Sequence, residues 1–244
     1  MKKFAMLCIL LLLFIGLSGC YTVSPGISIN AVQGSGDMVS RDFDIAEFNV
    51  LNVLGGYVVI YRQSQTPAVT IQMQENLFDY INVASEDGIL RISSDRTFRT
   101  DRGYTPRIYV YAPYLSNVII SGSALLEDWE TIYTDSLSIH VSGAASGSVY
   151  MEVEELRIDM FGSANFDLVG TADTARINVS GTGDVDASEL QTRSAHVNVA
   201  GVGNVEIAVS DTLDATISGV GNVWYIGSPQ VNRTITGLGR VQRR

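Results

Sequence analysis

The stretch VNVAGVGNVEIAVSDTLDATISGVGNVWYIG, Val197 to Gly227, contains Gly-Val-Gly-Asn-Val twice, at an interval of eighteen residues. A phosphate-binding glycine loop needs a helix N-terminus directly behind it, because the unpaired amides of the first helical turn hold the anion. Behind Gly203 and Gly221 stand NVEIAV and NVWYI, alternating and β-branched, so these glycines mark corners between strands. A calcium-binding nonapeptide fails too, since its aspartate position falls on Val185, Val205 and Val223.

Outward from this stretch the same corner recurs, as SGSA at Ser121, SGAA at Ser142, FGSA at Phe161, SGTG at Ser180, AGVG at Ala200, SGVG at Ser218 and TGLG at Thr236, with a period of 18 to 21 residues. After each anchor glycine comes a second small residue: Ala124, Ala145, Ala164, Gly183, Gly203, Gly221 or Gly239. Before it, apolar residues alternate with polar ones. Val118 and Ile120, Ile139 and Val141, Ile158 and Met160, Ile177 and Val179, Val197 and Val199, Ala215 and Ile217 form one face. Beyond the corner Phe166 and Leu168, Val185 and Ala187, Val205 and Ile207 resume the inward pattern.

An antiparallel meander would explain each Gly-Asn or Gly-Asp turn, but neither the equal period nor the column of small residues. Stacked coils explain both, because equivalent residues then lie about 4.8 Å apart and a tight corner on every rung tolerates only small side chains. The expected fold is all-β, a right-handed parallel β-helix or solenoid of about 18 to 21 residues per coil over 116–244. Residues 37–115 are β-rich without the tight period and read as a continuous extension of the same core. There FNVLNVLGGYVVIYRQ and AVTIQMQ are strands, ENLFDYI one short helical turn, and INVASEDGILRISS a hairpin around Asp87-Gly88.

The first residues, MKKFAMLCILLLLFIGLSGC, join two lysines, an apolar run and a small-residue site, which is a secretory signal. Its end, Leu17-Ser18-Gly19-Cys20, resembles the lipobox of bacterial lipoproteins, so 1–19 is read as a signal peptide and Cys20 as the lipidated new N-terminus. Residues 20–36, rich in Ser, Gly and small polar groups, read as a flexible tether. Loss of the signal removes Cys8, leaving no disulfide or multi-cysteine metal site, and moves the formal net charge from −10 to −12 by taking Lys2 and Lys3. An acidic surface of that size argues against nucleic-acid partners. Tyr21, where an aspartate would mark inner-membrane retention in enteric bacteria, points to the outer membrane, periplasmic side or cell surface.

Chemistry-bearing residues are few. His140 and His196 are the only histidines, and three coils, roughly 14 Å, separate them, too far to share a metal ion. Ser121, Ser142, Ser180 and Ser218 share one corner slot with no histidine beside them and read as bonding the turn backbone. Glu127, Asp167, Asp186 and Glu206 lie five residues past their anchors, the last three on successive rungs, where they splay into water, collect a weak Ca²⁺, or act on polysaccharide. Trp224 with Tyr225, and Tyr104, Tyr109, Tyr111 and Tyr114, are expected to cover the two ends of the core or to contact a ligand. No cofactor, catalytic residue or metal ligand is assigned.

RDFDIAEFNVLNVLGGYVVIYRQ, ENLFDYINVASEDGILRIS, IYVYAPYLSNVIISGSA and the repeated SGTGDV and AGVGNV together resemble the bacterial auto-transporter adhesin, head GIN domain family, over about Asp37 to Gly227. That resemblance implies an elongated β-helical protein, often a lipoprotein, and brings no catalytic residues. The combined reading is a lipid-anchored, non-enzymatic envelope protein that binds a glycan or protein. Its contact surface is expected on the outward ladder Asp159, Asn178, Asn198 and Thr216, joined across the corner by Asp167, Asp186, Glu206 and Trp224. The competing reading is a polysaccharide-active enzyme, lyase or glycosidase, using the same carboxylates.

Overall fold

The computed structural model describes residues 31–101 and 104–244, so the signal segment, Cys20 and most of the 20–36 tether lie outside the described residues. The domain begins earlier than 37. Strand β1 (Val32–Gln33) pairs in parallel with β8 (Phe98–Arg99), and Asn76 donates its side-chain amide to the Gln33 carbonyl. Among the described residues no helix is long and apolar enough to cross a membrane.

Next come β2 (Met38–Phe43), β3 (Val50–Leu54), β4 (Gly56–Gln63), β5 (Ala68–Gln74), a 3-10 turn (Glu75–Tyr80), β6 (Ile81–Glu86), β7 (Ile89–Ser94) and β9 (Arg107–Ala112). The coils are built from β10 (Asn117–Ile120), β11 (Ser123–Leu126), β12 (Ile132–Val141), β13 (Ala144–Met160), β14 (Ser163–Val179), β15 (Val185–Val199), β16 (Val205–Ile217), β17 (Val220–Ile226), β18 (Gln230–Ile235) and β19 (Leu238–Arg243). They stack in parallel as about seven turns of about 19 residues, a β-solenoid. The meander is excluded by the pairing, since every contact between successive coils is parallel, as in Asn117 with Ser138 and Val205 with Val223.

Each coil has a wall before the glycine corner and a wall after it. Every residue expected to face inward is buried, from Val118 and Ile120 through Val197 and Val199 to Ala215 and Ile217, and beyond the corner Phe166, Leu168, Val185, Ala187, Val205 and Ile207. The anchor glycines stack on one another. A Cβ at Gly143, Gly162, Gly181, Gly201, Gly219 or Gly237 would press into the carbonyl of the anchor one rung earlier, far inside van der Waals contact. The second small column holds alanine on three rungs and glycine on the later ones, where a Cβ at Gly183, Gly203, Gly221 or Gly239 would meet the backbone carbonyl of the rung before.

The anchor column also reaches into the N-terminal half. Gly122 stacks on Gly55, and β3 and β4 pair in register with β10 and β11, so FNVLNVLGGYVVIYRQ is itself a rung. The layer outside it comes from later in the chain: β7 lies parallel to β3, and β9 parallel to β4. Antiparallel strands then close the stack, β6 on β7 and β5 with β2 on β9. Asp87 and Gly88, both at positive φ, make the β6–β7 hairpin turn. The core at this end is plugged by Leu77 and Phe78 of the 3-10 turn, with the Arg41 guanidinium 4.3 Å above the Phe78 ring. The tyrosines expected to cap this end do not: Tyr104 and Tyr114 are exposed, and Tyr109 and Tyr111 stand half-buried on β9. One core runs through both halves.

Candidate functional site

The ladder on the wall before the corner is real as a register. Asp159 pairs with Asn178, Asn178 with Asn198, and Asn198 with Thr216, on successive rungs. Its members differ in availability. Asp159 occupies an outward slot but is only 7 % exposed, covered by the Arg157 side chain, whose Nε and Nη2 donate to its carboxylate at 2.6 and 3.1 Å. Asn178 donates its side-chain amide to the same carboxylate at 2.7 Å. Asp159 therefore serves chiefly to hold Arg157 and Asn178 in place, because a buried carboxylate needs its acceptor sites filled. Asn198 is half-buried and Thr216 exposed, and these carry the accessible part of the row. On the neighbouring row His196 Nδ1 lies 3.1 Å from the Asp214 carboxylate, and His140 packs on the Phe161 ring.

Across the corner, Asp167 pairs with Asp186, Asp186 with Glu206, and Glu206 with Trp224. The two rows thus flank the glycine corner, one on each wall. Like charges on adjacent rungs are relieved locally: Ser148 Oγ donates to Asp167 at 3.3 Å, and Arg244 Nη2 lies 3.0 Å from Glu206. The same Arg244 guanidinium stands 5.8 Å from the Trp224 ring, leaving Trp224 half-buried. Hydrogen bonds from the Ser188 side chain and backbone N–H hold the Asp186 carboxyl below its ordinary pKa, with Arg244 adding a smaller pull. Asp186 is an ionised acceptor at neutral pH and a poor proton donor. No group of three or more His, Cys, Asp or Glu among the described residues is placed to hold a metal ion.

A third row was not foreseen. Three residues past the anchors, Asn165, Asp184, Asn204 and Asn222 form a side-chain ladder at the corner. Asn204 donates its backbone and side-chain N–H groups to Asp184 Oδ1 at 2.8 and 2.9 Å, and accepts both from Asn222 at 3.1 Å. The signal lay in the GTGD and GVGN motifs, whose polar residue reads equally well as hairpin-turn chemistry. The corner serines play a lesser part than expected. Among the described residues the hydroxyls of Ser121, Ser142, Ser180 and Ser218 bond no corner backbone group, while their amides pair with the rung before, as Ser142 N–H does with Ile120.

Residues 47–229 match the family model described as "Putative auto-transporter adhesin, head GIN domain". The chain belongs to this family. Solved structures similar to this GIN domain include a Bacteroides fragilis protein described as a "putative adhesin", with TM-score 0.81, 24 % identity, and coverage of 88 % of this chain and 100 % of that one. A Parabacteroides distasonis protein described as a "putative lipid binding protein" is similar at TM-score 0.68 and 22 % identity, covering 88 % of this chain and 100 % of its own. A Parabacteroides merdae protein described as a "putative adhesin" has TM-score 0.62 and 24 % identity, with 88 % of this chain and 99 % of that one covered. At these identities the likeness establishes the GIN-domain fold. No curated protein matches the chain.

Proposed function

We propose that this GIN domain is a non-enzymatic binding protein of the bacterial cell envelope, anchored through a lipid on Cys20 to the outer membrane and contacting a glycan or a protein with the polar rows beside its glycine corner. The observation that carries this reading is the register itself. Asn178, Asn198 and Thr216, with Asp167, Asp186 and Glu206 across the corner, stand on parallel strands at one-rung intervals. Side chains fixed in this way suit a repetitive ligand, because little conformational entropy remains to be lost on binding. The family description as an adhesin head supports the reading, and the signal and lipobox residues support the anchor.

Single alanine substitutions at Asn198, Thr216, Asp167 or Asp186 should weaken retention of the chain on its target surface modestly. The combined variant should abolish it with little change in Tm. If Asp167→Ala or Asp186→Ala alone eliminated a measurable polysaccharide cleavage, the enzymatic reading would replace this one. For the anchor, Cys20→Ser should end metabolic acyl labelling, and unchanged labelling would refute it.

A further inference from the structure

The two walls of the coils differ in charge. After the corner, β13 to β16 present Glu152, Asp167, Asp186, Glu189 and Glu206, and no cationic side chain of their own. Before it, the register sets Arg157 beside Arg176 and Arg176 beside His196, on three successive rungs. The apolar core lies between the walls, so their outward groups stand more than about 10 Å apart. That exceeds the Debye length of about 8 Å at physiological salt, and the wall before the corner meets a ligand largely free of the carboxylates behind it.

Basic groups stacked about 4.8 Å apart repel unless each has a counter-charge. The outer two have one. Arg157 donates to Asp159 at 2.6 and 3.1 Å, and His196 Nδ1 lies 3.1 Å from the Asp214 carboxylate. Arg176, between them, is exposed and makes no ion pair or side-chain hydrogen bond among the described residues. Asp159 and Asp214 are already engaged, and Glu155, on the row beyond, makes no ion pair among the described residues either. Half-buried uncharged groups flank Arg176, with Asn178 and Asn198 towards the corner and Thr174 and Ser194 on the other side.

We propose that this wall binds an anionic glycan, its chain running along the stack with a carboxylate or sulfate on the Arg176 guanidinium and sugar hydroxyls on Asn198 and Ser194. A guanidinium fork receives two anionic oxygens at once. One rung, about 4.8 Å, is close to the rise of one pyranose in an extended chain, so a group held on Arg176 lays the adjoining sugars over Arg157 and His196. A neutral glycan would leave Arg176 unmatched, and a nucleic acid needs more cations than one short line. The inference rests on the binding-protein reading above; it names the charge of the ligand and confines the contact to the wall before the corner.

The test titrates the full chain with hexagalacturonate and a heparin hexasaccharide, and for comparison with maltohexaose and a short oligothymidylate, by saturation-transfer NMR at physiological salt. At least one acidic saccharide should bind saturably, and maltohexaose should not. Arg176→Gln should weaken that binding about tenfold or more, and Arg176→Lys, which keeps the charge but not the fork, about threefold, both with unchanged Tm because the side chain is exposed. Arg193→Gln, which removes an exposed arginine off the row that pairs with Asp211, should bind like the wild type. Failure of both acidic saccharides, equal binding of maltohexaose, tighter binding of oligothymidylate, or equal losses in Arg176→Gln and Arg193→Gln would overturn the proposal. Acidic-saccharide binding that survives Arg176→Gln but is lost in a double Asn198→Ala, Thr216→Ala variant would also overturn it and leave the polar-row reading standing.

Discussion

The coils from β10 to β19 and the half that precedes them share one core but are specified differently. In the coils, a strand's partner is the strand one period away, as Val185 is to Val205, so one local rule fixes corner, face and register together. In the first half, Val50 pairs with Ile89 on one side and Asn117 on the other, and the outermost layer is contributed by residues that come later in the chain than the rung beneath it. An end layer cannot follow the repeat, because repeating would expose another open edge. The domain solves this at one end with antiparallel β2 and β6 and the Leu77–Phe78 plug. At the other end the outer edges of β18 and β19 carry Arg233, Arg240 and Arg243, charges that discourage strand addition.

The largest effect is expected from a charge placed inside the repeat. Val199 is fully buried and Asn198 faces out, so Val199→Asp should destabilise by about 4 kcal/mol or more, while Asn198→Asp should stay within about 0.5 kcal/mol, by thermal or denaturant unfolding. Equal effects would mean that the repeat does not fix the face.

Next comes the corner. Gly201→Ala would drive a methyl into the Gly181 carbonyl and force two rungs apart, which we expect to cost about 3 kcal/mol. Gly56→Ala, in the slot that Ser123, Ala144 and Ser163 fill on the following rungs, meets open space and should change Tm little. A large loss at Gly56 would show that this slot, which accepts a side chain in the coils, is closed on the rung of β3 and β4.

These contrasts also explain how much of the fold is legible in the sequence. The inward faces and the glycine corners can be read because period-2 alternation and an 18 to 21 residue interval are local patterns. Gly55 escapes notice as an anchor because its next equivalent, Gly122, lies beyond an insertion that holds several strands. Asp159 reads as surface because alternation assigns a direction, not an environment, and the covering Arg157 sits two residues away on the same strand. The Asn165–Asp184–Asn204–Asn222 row is hidden because a lone Gly-Asn carries the same letters in a hairpin.

A smaller effect is expected where the two halves join. Trp129 donates its indole N–H to the Val59 carbonyl at 2.7 Å and packs against Tyr61, tying the first coil to the rung of β4. Burial, with a lesser contribution from the Glu130 charge, pushes the Tyr61 phenol up to about 12, in keeping with a dry contact. Trp129→Phe should cost about 1–2 kcal/mol and keep a single unfolding transition. Separation into two transitions would break the claim of one continuous core.

The smallest effect concerns acid and tests whether the coil surface is tuned by local bonds. The Asp186 carboxyl is held below the ordinary aspartate value of 3.8 first by the Ser188 side chain and then by its backbone N–H, against a minor opposing effect of burial. A carboxyl whose pKa is lower in the folded chain binds protons more readily when unfolded, so its stabilisation is present above 3.8 and is lost as the pH falls below that value through the depressed folded one. Because Asp186 is exposed, solvent screens the interaction and the contribution is small. Asp186→Asn removes the titration, so the Tm difference between wild type and variant, measured from neutral pH downward, should narrow only in that acidic window. A difference that narrowed already near neutral pH would mean that a cation or another base, not Ser188, controls this carboxylate.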